Sequence, residues 1–125
     1  MTSSEEYRAF TVKAASAAIA KGHHDPANLR ELLIWTTSKT TCAMVEEYFR
    51  GHLDDKLLLE ALFSIAEEGE DNGDAPWAAA NTISEFPAAM LAPYKARLVT
   101  LSNHPWSYLS TPAAQALAKV QASAT

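Results

Sequence analysis

The chain has 125 residues, enough to close a single core, and its 48% hydrophobic and 20% charged content is that of an ordinary soluble globular domain. Its formal charge of −5 is unevenly placed: eleven of the fifteen acidic residues lie between Glu46 and Glu85, where the basic residues are Arg50 and Lys56. Such an acidic field repels nucleic acid and anionic membrane and speeds encounter with a basic protein.

Helix signals recur along the chain and are well punctuated. Ser3 and Glu6 form a capping-box pair that opens a helix to about Lys21, where Gly22 stops it. Asp25-Pro26 is an N-cap followed by proline at the first helical position, and the helix it starts lines up Leu29, Leu32, Leu33 and Thr36. A third helix is predicted from about Thr40 to Arg50, with Cys42, Val45 and Phe49 aligned and Gly51 ending it. Asp54 is the expected cap of a fourth, whose core face is Leu58, Ala61, Leu62 and Ile65 and whose outer face is Glu60, Ser64, Glu67 and Asp71.

The loop from Gly69 to Asp74 leads to a fifth helix, from about Ala75 to Phe86, with Ala79, Ile83 and Phe86 inward and Pro87 closing it. Residues 88 to 92 read as a separate turn, and Pro93 as the start of a helix that buries Tyr94, Leu98 and Leu101. Ser102 to Ser110 reads as a connection, and Thr111-Pro112 repeats the cap-plus-proline signal before a last helix through Leu117 and Val120. About seven helices without a strand candidate make an all-α domain spanning residues 1–125, packed as antiparallel pairs.

A faint internal repeat relates residues 79–86 to 113–120 at an offset of 34, each copy preceded by a proline (Pro76, Pro112) and, further upstream, by a Leu-rich helix. Helix pairs at about this period mark α-solenoids. The segment Ala75-Pro76-Trp77-Ala78-Ala79-Ala80-Asn81-Thr82-Ile83 resembles the second helix of a HEAT-like unit, and the resemblance covers two units, roughly 54–86 and 88–122. The first half of the chain departs from it, so a short HEAT-like solenoid and an irregular bundle both remain open. In size, charge and helical character the chain also resembles bacterial immunity proteins of contact-dependent growth inhibition. That resemblance implies a cytoplasmic inhibitor of a cognate toxin domain, often a basic nuclease. A HEAT-like scaffold or adaptor that binds a cellular protein is the alternative.

The expected partner-binding residues are Glu60, Glu67, Glu68, Glu70, Asp71 and Asp74, complementary to lysine and arginine on a partner, together with Trp77 and Asn81. On a helical wheel Trp77 falls opposite Ala79, Ile83 and Phe86, and a large aromatic beside carboxylates has the character of an interface anchor. A solvated acidic turn and a Trp77 covered by a neighbouring helix are the plain alternatives.

Neither metal nor cofactor is expected. His23 and His24 are adjacent, so on a helix they would diverge; His52 with Asp54 and Asp55 lacks a zinc spacing. Asp71-Asn72-Gly73-Asp74 lacks the ligands of a calcium loop. Cys42 is the lone cysteine, placed on an apolar face without a neighbouring base, and Trp35, Trp106 and Tyr108 read as packing residues. No catalytic motif is present, so the protein is expected to be a binder rather than an enzyme, and a monomer when free. The N-terminus lacks the features of a secretory signal, and no apolar run approaches the ~20 residues of a membrane span.

Overall fold

The computed structural model describes residues 3–69 and 74–123, among which the regular elements are all helices and there is no strand. The helices are α1 (Ser3–Lys21), α2 (Pro26–Trp35), α3 (Cys42–Arg50), α4 (Lys56–Ala66), α5 (Asp74–Ile83), α6 (Ala88–Leu91), α7 (Lys95–Ser102) and α8 (Ser107–Ser123), with a 3-10 helix at Ala92–Tyr94 between α6 and α7. Among the described residues no helix is long and apolar enough to cross a membrane. The chain divides into two compact units, 1–51 and 52–125.

In the first unit α1, α2 and α3 pack on one another and bury Ala15, Ala18, Leu29, Leu32, Leu33, Val45 and Phe49. Gly22 ends α1 with a φ of 88°, a left-handed conformation that costs an L side chain free energy and glycine none. Asp25 caps α2 as expected, its carboxylate accepting from the Ala27 amide at 3.2 Å. The buried Asn28 side chain donates to the Gly22 carbonyl and to the Ala18 carbonyl, which also accepts from the Gly22 amide, and so ties the end of α1 to α2. Gly51 ends α3 with an ordinary φ of −74°, so its left-handed freedom is not used. Cys42 opens α3 half-buried rather than in the core.

In the second unit α5 packs against α4 and α8, and α8 packs against α5, α6 and α7. The apolar face of α4 is wider than expected: Leu59, Phe63 and Ala66 join Leu58, Leu62 and Ile65 in the core. All of Ala75, Pro76, Ala78, Ala79, Ala80, Thr82 and Ile83 of α5 are buried. Small side chains let α5 lie close to both neighbours, and what remains outside is the stripe Asp74, Trp77 and Asn81.

Three helix boundaries differ from expectation. Asp55, not Asp54, caps α4, its carboxylate accepting from the Leu58 amide at 3.1 Å. Either aspartate has the right chemistry; Asp55 has the extended backbone (φ −91°, ψ 104°) that an N-cap requires. Helix α5 stops at Ile83, and Ser84 to Phe86 form a turn whose Ser84 and Phe86 carbonyls accept from the Lys119 ammonium at 2.7 and 2.9 Å. Helix α8 starts at Ser107, with Pro112 inside it rather than opening it. Burial of Leu109 and Pro112 outweighs the hydrogen bond that the proline cannot donate. The segment 88–92, read as a turn, supplies the single helical turn of α6 and the start of the 3-10 helix.

The cap assignment predicts that Asp55→Ala lowers the stability of the protein by about 1 kcal/mol, whereas Asp54→Ala stays within about 0.5 kcal/mol of the parent. Urea unfolding of the two variants measures the difference.

Candidate functional site: acidic and aromatic faces of the second unit

The acidic residues do not form one uniform patch. Glu60 and Glu67 lie two turns apart on the outer face of α4 and meet Arg97 of α7. The Arg97 guanidinium donates to both oxygens of Glu67 (Nε to Oε2 2.9 Å, Nη2 to Oε1 2.6 Å) and through Nη1 to Glu60 Oε2 at 3.0 Å. The Tyr94 hydroxyl donates to the other oxygen of Glu60 at 3.0 Å. Beneath this polar layer Phe63 and Tyr94 stack with centroids 4.9 Å apart and planes 14° from parallel. The guanidinium carbon lies 4.9 Å from the Phe63 centroid and 5.9 Å from that of Tyr94. An arginine is thus held by two carboxylates and an aromatic stack, a combination that suits its planar, weakly hydrated head.

The ionisation of the cluster follows its bonds. Hydrogen bonds from Tyr94 and then Arg97 lower the pKa of the Glu60 carboxyl. Burial, and then the bond to Glu60, pushes the Tyr94 phenol up. Its bonds to Glu67, ahead of those to Glu60, push Arg97 higher still, so it stays charged throughout.

Two of the contacts in this cluster span the 34-residue offset, while the Arg97–Glu67 and Arg97–Glu60 bonds span 30 and 37 residues. Tyr94 is 34 residues beyond Glu60, and Arg97 is 34 beyond Phe63. Sequence reasoning missed Arg97, because its bonds to Glu60 and Glu67 are tertiary and share no single spacing.

The second face is aromatic. Trp77 of α5 meets Tyr108 of α8 edge-on, with centroids 5.6 Å apart and planes at 60°. Tyr108 in turn meets Trp106, at 5.4 Å and 76°. Tyr108 is 56% exposed, while Trp77 and Trp106 are half-buried. Trp77 is therefore neither open on all sides nor covered by a helix; the aromatic rim of α8 meets its edge. Two residues taken as packing, Trp106 and Tyr108, belong to this surface. No periodicity could place them there, because Trp106 precedes α8 and the contact with α5 is tertiary.

The aromatic face is joined to the acidic turn. Gly69, with a φ of 85°, sits where a Cβ would lie 3.8 Å from His104 Nε2. The Nδ1 atom of the same imidazole accepts from the Trp106 amide at 3.0 Å. Glu68, Asp74 and Asn81 are exposed, whereas Glu70 and Asp71 lie outside the described residues.

In the first unit His23 and His24 lie in the non-helical link before α2, so the helical divergence expected of neighbours does not apply; their rings sit 4.5 Å apart. His23 is buried, and its Nδ1 is 2.6 Å from the Tyr48 hydroxyl.

Comparison of the chain with protein-family models, with curated proteins and with solved structures finds no match.

The Arg97 cluster sets two expectations. Arg97→Ala should lower stability by about 1–2 kcal/mol, the sum of a partly exposed ion-pair network and a cation–π contact. Arg97→Lys should recover little of that, because an ammonium lacks the planar fork. For Glu60 the folded pKa is depressed, so its stabilising contribution is complete above the unfolded value of about 4.3 and is lost as pH falls through the lowered folded value. The stability gap between parent and Glu60→Gln should therefore be full at neutral pH and close on acidification below about pH 4. Thermal unfolding of both proteins across that range measures the gap.

Proposed function

We propose that this protein acts by binding a basic protein through the outer surface of its second unit, without chemistry of its own, and that it is an immunity protein that neutralises a cognate toxin domain. One observation carries the reading: the whole net charge belongs to the unit that presents the aromatic face. Residues 52–125 hold nine acidic and four basic residues, and residues 1–51 hold six of each. Glu60 and Glu67 are matched by Arg97. The surface proposed for a partner is centred on the exposed stripe of Asp74 and Asn81 with Trp77 between them, with Glu68 nearby and Glu70 and Asp71 adding charge by sequence.

Tryptophan and tyrosine beside carboxylates have the composition of binding hot spots, and complementary charge raises the rate of encounter. The HEAT-like reading of residues 54–122 draws on the faint repeat at an offset of 34. It serves an adaptor as well as an inhibitor; the toxin role draws on the resemblance of the chain in size, charge and helical character.

Co-expression with its genomic neighbours, followed by purification at low salt, tests the role. A stoichiometric complex with a basic domain that is lethal in the absence of this protein is the expected result; a non-toxic partner would transfer the reading to the adaptor. In that complex, Glu68→Lys with Asp74→Lys should reduce affinity about tenfold or more, mostly through the association rate. Glu5→Lys with Glu6→Lys should leave it nearly unchanged. Surface plasmon resonance at two salt concentrations distinguishes these outcomes.

A further inference from the structure

The second unit contains two constellations of aromatic rings with carboxylates, and one of them displays its ligand. On the α4–α7 face, Phe63 and Tyr94 supply ring faces, Glu60 and Glu67 supply acceptors, and the guanidinium of Arg97 fills the site. On the α5–α8 face, Trp77, Tyr108 and Trp106 supply the rings. Asp74 supplies an exposed carboxylate one helical turn before Trp77 on the same stripe of α5. Glu68 lies beside Gly69, which packs at His104 next to Trp106. Among the described residues no cation of the chain lies over these three rings.

We infer that the Trp77–Tyr108–Trp106 face receives an arginine side chain from the basic partner, stacked on the rings with Asp74 as its counter-ion. This rests on the binding role proposed above and adds the identity of the anchoring residue. The choice of arginine over lysine follows from the chemistry of the face. Tryptophan is the strongest cation–π acceptor among the side chains, and energetically significant contacts of this kind use arginine more often than lysine. A guanidinium sheds its water more readily than an ammonium and can lie flat on a ring while its edge donates to a carboxylate. The tilted rings, at 60° and 76° to one another, make a bent aromatic rim rather than a closed stack. Tyr108, the central member, is the most exposed of the three.

The test uses capped, glycine-spaced peptides of equal length carrying two arginines, two lysines or two citrullines, titrated into the intact protein at low salt. The readout is the indole N–H resonances. The chain has three tryptophans, and Trp35, in the first unit, serves as the internal control. The arginine peptide is expected to shift the Trp77 and Trp106 signals and leave Trp35 in place. It should bind more tightly than the lysine peptide, by up to about fivefold, a ceiling set by the full worth of an exposed cation–π contact that lysine makes only in part. The neutral citrulline peptide should not bind.

Tyr108→Leu, at an exposed position that the core does not need, should weaken the preference for arginine, leaving the part carried by Trp77 and Trp106, while keeping salt-sensitive binding of both cationic peptides. Unchanged circular dichroism confirms that this variant is folded. Equal binding of arginine and lysine by the parent protein, or a preference undiminished by Tyr108→Leu, overturns the arginine anchor and leaves the acidic-face reading standing. Absence of binding by either cationic peptide overturns both.

Discussion

The close approach of α5 to its two neighbours is the constraint on which the second unit depends. A helix that buries four alanines, a proline, a threonine and an isoleucine keeps little of its circumference for solvent. Alanine contributes modestly to burial per residue, but it loses no side-chain rotamer freedom and lets backbones pack at short range. Position along α5 is therefore fixed by shape as much as by hydrophobicity, and Asp74, Trp77 and Asn81 fall outside because every other direction is occupied. Trp77 then meets the start of α8, where Tyr108 reaches its edge.

Arg97 joins α4 to α7 on another side of the same unit. Its bonds are partly exposed, and a single pair of that kind contributes little. Here one guanidinium satisfies three carboxylate oxygens and lies against Phe63 and Tyr94, so charge, hydrogen bonds and ring contact reinforce one another in a single geometry. The cluster also redistributes the field. Glu60 of α4 and Glu67 at its C-cap share a cation, which offsets part of their charge. At physiological ionic strength a field is felt over only about 8 Å, so local matching of this sort shapes the potential at each patch of the surface.

The first unit makes a contrast. Its acids and bases balance. Its polar interior consists of bonds that close helix ends, such as Asn28 on the carbonyls of Ala18 and Gly22. Its buried His23 beside Tyr48 belongs to the same local structure.

Local chemistry determined much of this protein from sequence alone. The all-α class followed from period and punctuation; Gly22 and Asp25 act where their backbone and capping preferences placed them. Positions such as Leu29, Leu62, Ile83 and Leu98 are buried because apolar periodicity is read directly by the core. The outer faces of α4 and α5 were legible for the same reason. Tertiary structure decided the rest. Asp55 rather than Asp54 caps α4, since the cap depends on backbone conformation and not on side-chain type. Pro112 sits within α8 because burial overrode its local preference. Arg97 could be matched to Glu60 and Glu67, and Tyr108 to Trp77, only once helices distant in sequence lay side by side. A sequence carries the energy of each helix face, but which faces meet depends on the packing of all of them together.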